Sequence, residues 1–330
     1  MRRAVDVTPH PSRLTPHASH RCAVFLMGPT ATGKTEMAME LADAFPLALI
    51  NADSAQVYRG MDVGTAKPGP EVRRDYPHAL MDFRDPAEPF SAGEFARAAR
   101  TVAEEAFAAH RVPLLVGGTG LYFRAFAEGL ADLPASDPAV RHRLQAEAEV
   151  QGWPALHRRL AETDPEAAAR IHERDGQRIL RALEVLEVTG RPLTDLQAEQ
   201  GVAPITYPIL RTALWLPREA IWERIEARFQ QMLQAGLVAE AEALRAAGVP
   251  ADSPALRAVG YRQALDYLNG RIDHDQLAEA GVVATRRLAR RQLIWLRKTP
   301  DVTWFRADLE DERRALKERV EGFLGKHGWL

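Results

Sequence analysis

"GPTATGKT", residues 28–35, follows the apolar run "AVFLM" (23–27) and leads into "TEMAMELADAF" (35–45), a stretch of good helix formers. Gly28, Pro29, Thr30, Ala31, Thr32, Gly33, Lys34 and Thr35 satisfy the pattern G-x-x-x-x-G-K-[ST] between a strand and a helix, the context in which that pattern carries meaning. Glycine lets backbone N–H groups close on an anion, and the helix N-terminus adds partial positive charge. Lys34 supplies a mobile cation, and the Thr35 hydroxyl can ligate Mg²⁺. The loop therefore binds a di- or triphosphate group, as in ATP-binding proteins. It does not say whether that phosphate is transferred or leaves.

Working outward, "LALIN" (47–51) and "VPLLVGGTG" (112–120) are further short apolar runs of the kind buried on both faces of a parallel sheet. "SAGE" (Ser91 to Glu94) is a capping box opening a helix that should reach about His110. Strands alternating with helices predict an α/β fold, a P-loop NTPase-like parallel sheet with helices on both faces. From Ser136 to Pro204 only helical signals occur. "SDPAVRHRL" and "TDPEAAARI" each set a capping residue before proline, and "DGQRILRALEVLEVTG" ends on Gly190. Strand character returns at "ILRTALWL" (209–216). Residues 136–204 thus read as an all-helical insertion in a core built from 22–135 and 205–330. Helical C-terminal segments follow at about 218–247, 254–269 and 274–298, and "VTWF" (302–305) reads as a last strand. Residues 1–21 read as a disordered extension, or as a start codon assigned too early.

Composition narrows the function. Apolar residues make up 46% of the 330, enough for a substantial core, and the formal net charge is −2, so any nucleic-acid footprint must be local. A single cysteine, Cys22, excludes an internal disulfide and a Cys-rich zinc site, and suits a reducing cytoplasm. No apolar run approaches membrane-span length, and the first 21 residues lack the apolar segment of a secretory signal.

Asp53, just after the second strand, should lie at the carboxyl edge of the sheet, where open α/β sheets bind ligands. From spacing alone it can be a metal ligand, a general base, or a cap in "NADSAQ". Arg287, Arg291, Ile294 and Lys298 share one stripe of the 274–298 helix, with Arg286, Arg290 and Arg297 beside it. That stripe is either a phosphate-binding face or a solvated face paired with acidic neighbours. Trp222 and Trp295 read as core residues on amphipathic helices, and His157 and His172 lack metal-ligand spacing.

"GPTATGKT", "NADSAQVYRGMDVGTAKP" (51–68), "LLVGGTGLYF", "DGQRILRALEV", "ALRAVGYRQ" and "TRRLARRQLIWLRK" occur in this order over about 275 residues. Together they resemble the tRNA dimethylallyltransferase family, also called isopentenyl-tRNA transferases. The resemblance implies transfer of a dimethylallyl group from dimethylallyl pyrophosphate to N6 of the adenine 3′ to the anticodon, in tRNAs reading codons that begin with U. It implies Mg²⁺, and that residues 28–35 hold the pyrophosphate. Asp53 matches the family's general base, within a tRNA-contacting block of Asp53, Ser54, Ala55 and Gln56. Thr119 matches a reaction-channel residue, and Arg228 a second pyrophosphate ligand. Arg141, then Gln177, Arg178, Ile179, Leu180 and Arg181, then Arg257, Ala258, Val259, Gly260, Tyr261 and Arg262 match further tRNA contacts. "IHERDGQR" departs from the family's usual "HPNDPQR" and puts the local turn in doubt. A cytoplasmic monomer is expected. The rivals are an adenylate isopentenyltransferase acting on free nucleotide and a P-loop small-molecule kinase.

Overall fold

The computed structural model describes residues 20–199 and 201–330. Six strands form one parallel sheet: β1 (Ala23–Met27), β2 (Leu47–Asn51), β3 (His78–Ala79), β4 (Val112–Gly117), β5 (Ile209–Trp215) and β6 (Val302–Arg306), in the order β3-β2-β4-β1-β5-β6. All five residues of β1 and all six of β4 are buried, as expected of strands inside a parallel sheet. Met27 is in register with Gly117 on one side and Ala213 on the other, so β1 and β4 end level while β5 runs on to Trp215. Their carboxyl edge carries the 28–33 loop, Asp53 and Thr119.

Fourteen helices complete the described residues. The first four are α1 (Lys34–Ala44), α2 (Pro70–Asp75), α3 (Ala92–Ala108) and α4 (Gly120–Glu128). Next come α5 (Pro138–Gln151), α6 (Trp153–Thr163), α7 (Pro165–Arg170), α8 (Gly176–Thr189) and α9 (Leu193–Ala198). The last five are α10 (Arg218–Gln234), α11 (Leu237–Ala246), α12 (Tyr261–Leu268), α13 (His274–Leu296) and α14 (Glu310–Lys326). The chain divides into two compact units. One holds the described residues up to Phe90 with Ala98–Phe123 and Thr206–Leu330; the other holds Ser91–Arg97 and Arg124–Ile205. The helical unit therefore takes in more of the chain than 136–204.

That second unit is built on a cluster including Leu144, Leu156, Leu160, Ile179, Leu183 and Leu196. Its helices start where capping carboxylates stand. Asp137 Oδ1 accepts from the N–H groups of Ala139 (2.9 Å) and Val140 (3.1 Å), and Asp164 Oδ1 accepts from that of Ala167 (3.0 Å). Ser91 and Glu94 form the reciprocal capping box of α3, at 3.1 and 2.9 Å.

Several sequence expectations change. The 218–247 segment is two helices, because Gly236 adopts φ 102°, which an α-helix does not admit. The 254–269 segment becomes helical only at Tyr261; before it the chain runs in turns, with Ser253 Oγ accepting from Leu256 N–H at 3.2 Å. Helix α14 and the two-residue β3 were not anticipated. Of the N-terminal extension, residues 1–19 lie outside the described residues. Arg21 is tied down: its guanidinium pairs with Glu104 at 2.8 Å and covers the Phe107 ring. No helix among the described residues is long and apolar enough to cross a membrane.

Candidate active site

Helix α1 begins at Lys34 directly after Gly33, which adopts φ 82° and offers no side chain to cap the helix. The first N–H groups of α1 thus face outward without a side-chain acceptor, which is an anion site by construction. Lys34 Nζ donates to the Pro29 carbonyl at 2.7 Å, and Thr32 Oγ1 to the same oxygen at 2.8 Å, folding the loop around the lysine. From α10, Arg228 donates to Thr30 Oγ1; from α13, Gln292 Oε1 accepts the Thr30 N–H at 2.9 Å. The loop, Asp53, Gln56, Arg224, Arg228 and Gln292 line one cleft of about 430 Å³. Burial pulls the Lys34 ammonium down to about 8; Asp53 opposes that shift and the Arg228 charge adds to it. Burial also lowers Arg228, against the pull of Asp53. Two cations crowded and partly desolvated around a phosphate loop are stabilised by an incoming polyanion.

Asp53 follows β2 and Ala52. Its Oδ1 accepts from the N–H groups of Ala55 (2.9 Å) and Gln56 (3.4 Å), closing a turn and not an α-helix. Its Oδ2 has no hydrogen bond or ion pair among the described residues, so one carboxylate oxygen holds the turn and the other faces the cleft chemistry. Thr119 is fixed beside it: Thr119 Oγ1 accepts the Ser54 N–H at 3.0 Å and donates to Ser54 Oγ at 3.2 Å. Gln56 Nε2 donates to the Thr65 carbonyl at 3.1 Å, tying the turn to the "DVGTAK" segment. That segment is in turn held by Glu240 of α11, whose carboxylate accepts from the N–H groups of Asp62, Val63 and Gly64 and from the Tyr261 hydroxyl. Beside Asp53, Thr30 and Arg228 lies a small recess of about 80 Å³ walled by Ile225, Phe229, Met232, Val259 and Leu288. A phosphate loop, a carboxylate and an apolar recess thus meet in one place.

The structure sorts the other residues singled out from sequence. Arg257 and Arg262 are exposed, Ala258 and Val259 border the recess, and Gly260 and Tyr261 are buried. In the helical unit Gln177 and Arg178 are exposed. Ile179 and Leu180 belong to that unit's core, which removes their side chains from any contact with RNA. Arg141 and Arg181 converge on Glu184, a fully buried carboxylate on α8, at 3.2 and 2.9 Å. Burial alone would raise the Glu184 carboxyl, but hydrogen bonds from Ser136, Arg181 and the Asp137 N–H outweigh it and hold it below its ordinary value. On α13, Arg286 pairs with Glu226, whereas Arg287, Arg290 and Arg291, and Arg297 and Lys298 just after the helix, are exposed with no carboxylate partner among the described residues. Trp295, expected in the core, is half-buried and stacks on Phe123 at 6.4 Å between ring centres. Trp222, also expected there, is half-buried too, with the Arg218 guanidinium 3.8 Å and that of Arg286 5.0 Å from its ring centre. His157 Nε2 lies within hydrogen-bond distance of the Ala168 and Ile171 carbonyls, a satisfied structural histidine.

Sequence reading missed Gln292, Arg224 and Glu240. Gln292 sits inside a quoted arginine-rich block, and its position four residues before Leu296 on the inner face of α13 is the one signal that could have found it.

A family model described as IPP transferase matches residues 56–299, and one described as isopentenyl transferase matches residues 22–76. The chain belongs to the IPP transferase family. Within the family, it is 52% identical over 283 residues to a tRNA dimethylallyltransferase of Thioalkalivibrio sulfidiphilus, covering 85% of this chain and 88% of that protein. It is 51% identical over 305 residues to one of Alkalilimnicola ehrlichii, covering 91% and 95%. Among solved structures, a tRNA isopentenylpyrophosphate transferase of Bacillus halodurans superposes with a TM-score of 0.68 at 36% identity, covering 93% of this chain and 98% of that one. A eukaryotic dimethylallyltransferase described as acting on tRNA shares the fold, with a TM-score of 0.77 at 23% identity over 93% and 80%.

Proposed function

We propose that the protein is a tRNA dimethylallyltransferase, moving a dimethylallyl group from its pyrophosphate to N6 of the adenine 3′ to the anticodon in tRNAs that read codons beginning with U. The observation that carries the reading is the meeting of the 28–35 loop, Asp53 and the small apolar recess. The diphosphate occupies the loop, its prenyl tail the recess. The C1–O bond of the donor breaks as the bond from N6 to C1 forms. The electron pair leaves with pyrophosphate, and the N6 proton passes to Asp53.

Lys34 and Arg228 stabilise charge that grows on the departing diphosphate, so the loop serves a leaving group and nothing is phosphorylated. An adenine amino group is a poor nucleophile because its lone pair is delocalised into the ring, and a carboxylate in reach offsets that by taking the proton. The apolar walls of the recess suit a short hydrocarbon tail. A base of the anticodon loop reaches such a site by flipping out of its stack, at a cost of about a few kcal/mol.

Mg²⁺ fits the donor set. Thr35 and Asp53 line the same cleft, and no cluster of three or more His, Cys, Asp or Glu side chains gathers among the described residues. Mg²⁺ needs few protein ligands when phosphate oxygens and water fill most of its shell. Thr35 would hold it, and it would supply positive charge to the diphosphate.

Arg257, Arg262, Gln177, Arg178 and the exposed arginines of α13 are the surfaces offered to the tRNA. One buried, unpaired cysteine suits the reducing cytoplasm this reading implies. The test is mass analysis of adenosines from tRNA incubated with the protein and dimethylallyl pyrophosphate, with AMP as competing acceptor. Prenylated tRNA adenosine is the expected product. Prenylated AMP alone would assign the protein to free nucleotides, and γ-phosphate transfer from ATP would make it a kinase.

A further inference from the structure

The carboxyl ends of β5 and β6 open into a second cleft, about 970 Å³, that does not include the phosphate loop or Asp53 and borders the exposed arginine face of α13. Three indoles line it: Trp215 at the end of β5, Trp304 on β6 and Trp222 on α10. So do the guanidiniums of Arg218, Arg286 and Arg290. Arg218 and Arg286 lie 3.8 and 5.0 Å from the centre of the Trp222 ring. The carboxylate that meets this group is Glu226, which pairs with Arg286 at 2.9 Å. Arg290 has no carboxylate partner among the described residues. The Arg286 Nε is buried and makes no hydrogen bond. Three guanidiniums against one carboxylate leave this cleft with excess positive charge.

We infer that this cleft is a second ligand site, for a nucleotide. Guanidiniums stacked on an indole keep their N–H edges free for phosphate oxygens. Trp222 holds two of those guanidiniums, while Trp215 and Trp304 offer flat apolar faces on which any base can stack. The cleft lies on the sheet edge where α/β folds bind ligands. Helix α10 spans both places, giving Arg218 and Trp222 to this cleft and Arg224 and Arg228 to the catalytic one. The nucleotide is either free or an unpaired residue of an RNA chain; the chemistry that binds it is shared.

The test uses the full chain in a Lys34→Ala background, which weakens the catalytic phosphate site, and probes that carry no adenine and so cannot act as prenyl acceptors. Binding of 5′-GMP and of the pentaribonucleotide UUGUU is measured by calorimetry, with and without Arg290→Glu or Trp222→Ala. Arg290 is exposed, so its reversal keeps the fold even if loss of the indole does not. Both changes should weaken binding at least about tenfold. UUGUU binding at least about tenfold tighter than 5′-GMP assigns the site to RNA, and equal affinities assign it to free nucleotide. No binding of either probe, or binding untouched by Arg290→Glu, overturns the inference.

Discussion

The N–H of Thr30 donates to Gln292 Oε1 at 2.9 Å, so a side chain 262 residues away holds the middle of the phosphate loop. Gln292→Ala should therefore loosen the loop without touching the diphosphate's charged partners. Loss of one such hydrogen bond, about 1 kcal/mol, should raise KM for the donor about fivefold. Steady-state kinetics at fixed tRNA checks this; an unchanged donor KM would show that the loop holds itself.

The Lys34 ammonium, drawn down to about 8, makes donor binding pH-dependent. Below pH 8 it is charged before the donor arrives. Above pH 8 the free protein has lost that proton, while the bound diphosphate favours regaining it. Donor affinity should thus fall as pH rises from about 8, with proton uptake on binding. Calorimetry in buffers of different ionisation enthalpy measures the uptake directly. In Lys34→Ala the uptake should vanish and kcat should drop by about 10²-fold or more, with tRNA affinity nearly unchanged.

Glu184 gathers Arg141, Arg181, Ser136 and the Asp137 N–H. Glu184→Ala leaves those donors facing an empty place and should cost about 3 kcal/mol in the helical unit. Because the folded carboxyl lies below its ordinary value, its stabilisation is present at neutral pH and lost as pH falls through and below that value. Thermal melts from pH 7 to pH 4 should show wild type approaching the variant in acid. Parallel curves would remove the carboxylate from the account.

If Arg287, Arg291 and Lys298 each meet a phosphate, replacing all three by alanine should flatten the salt dependence of tRNA binding. The log–log slope should fall by up to about three units, taking the duplex coefficient as a guide. An unchanged slope would mean a solvated face.

How much of this was legible beforehand follows from where each signal resides. The fold was readable because a phosphate loop is a contiguous string between a strand and a helix, and because buried strands such as "AVFLM" are apolar throughout. Capping residues such as Asp137 and Asp164 act within three residues of themselves, so sequence finds them. Glu184, Glu240 and Gln292 reach partners 43, 178 and 262 residues away, which meet them only after folding. The burial of the Ile179 and Leu180 side chains was hidden for a related reason: the helix that shows Gln177 and Arg178 outward turns its next two residues inward. Trp222 was taken for core because an indole on an amphipathic helix usually is; two arginines, one 64 residues further on, make it a cleft wall instead.

The central claim is that Asp53 takes the proton from the attacking amine. Asn at this position keeps the side chain's shape, and its carbonyl oxygen can still accept from Ala55 and Gln56, so the turn survives. It cannot accept a proton at neutral pH. Excess Mg²⁺ in the assay separates this role from metal ligation, since a weakened metal site would be restored by it and a missing base would not. The deciding measurement is kcat of Asp53→Asn at saturating tRNA, donor and Mg²⁺, with tRNA affinity measured alongside. The account expects kcat to fall by about 10²–10⁴-fold with affinity intact; turnover near that of the wild type would contradict it.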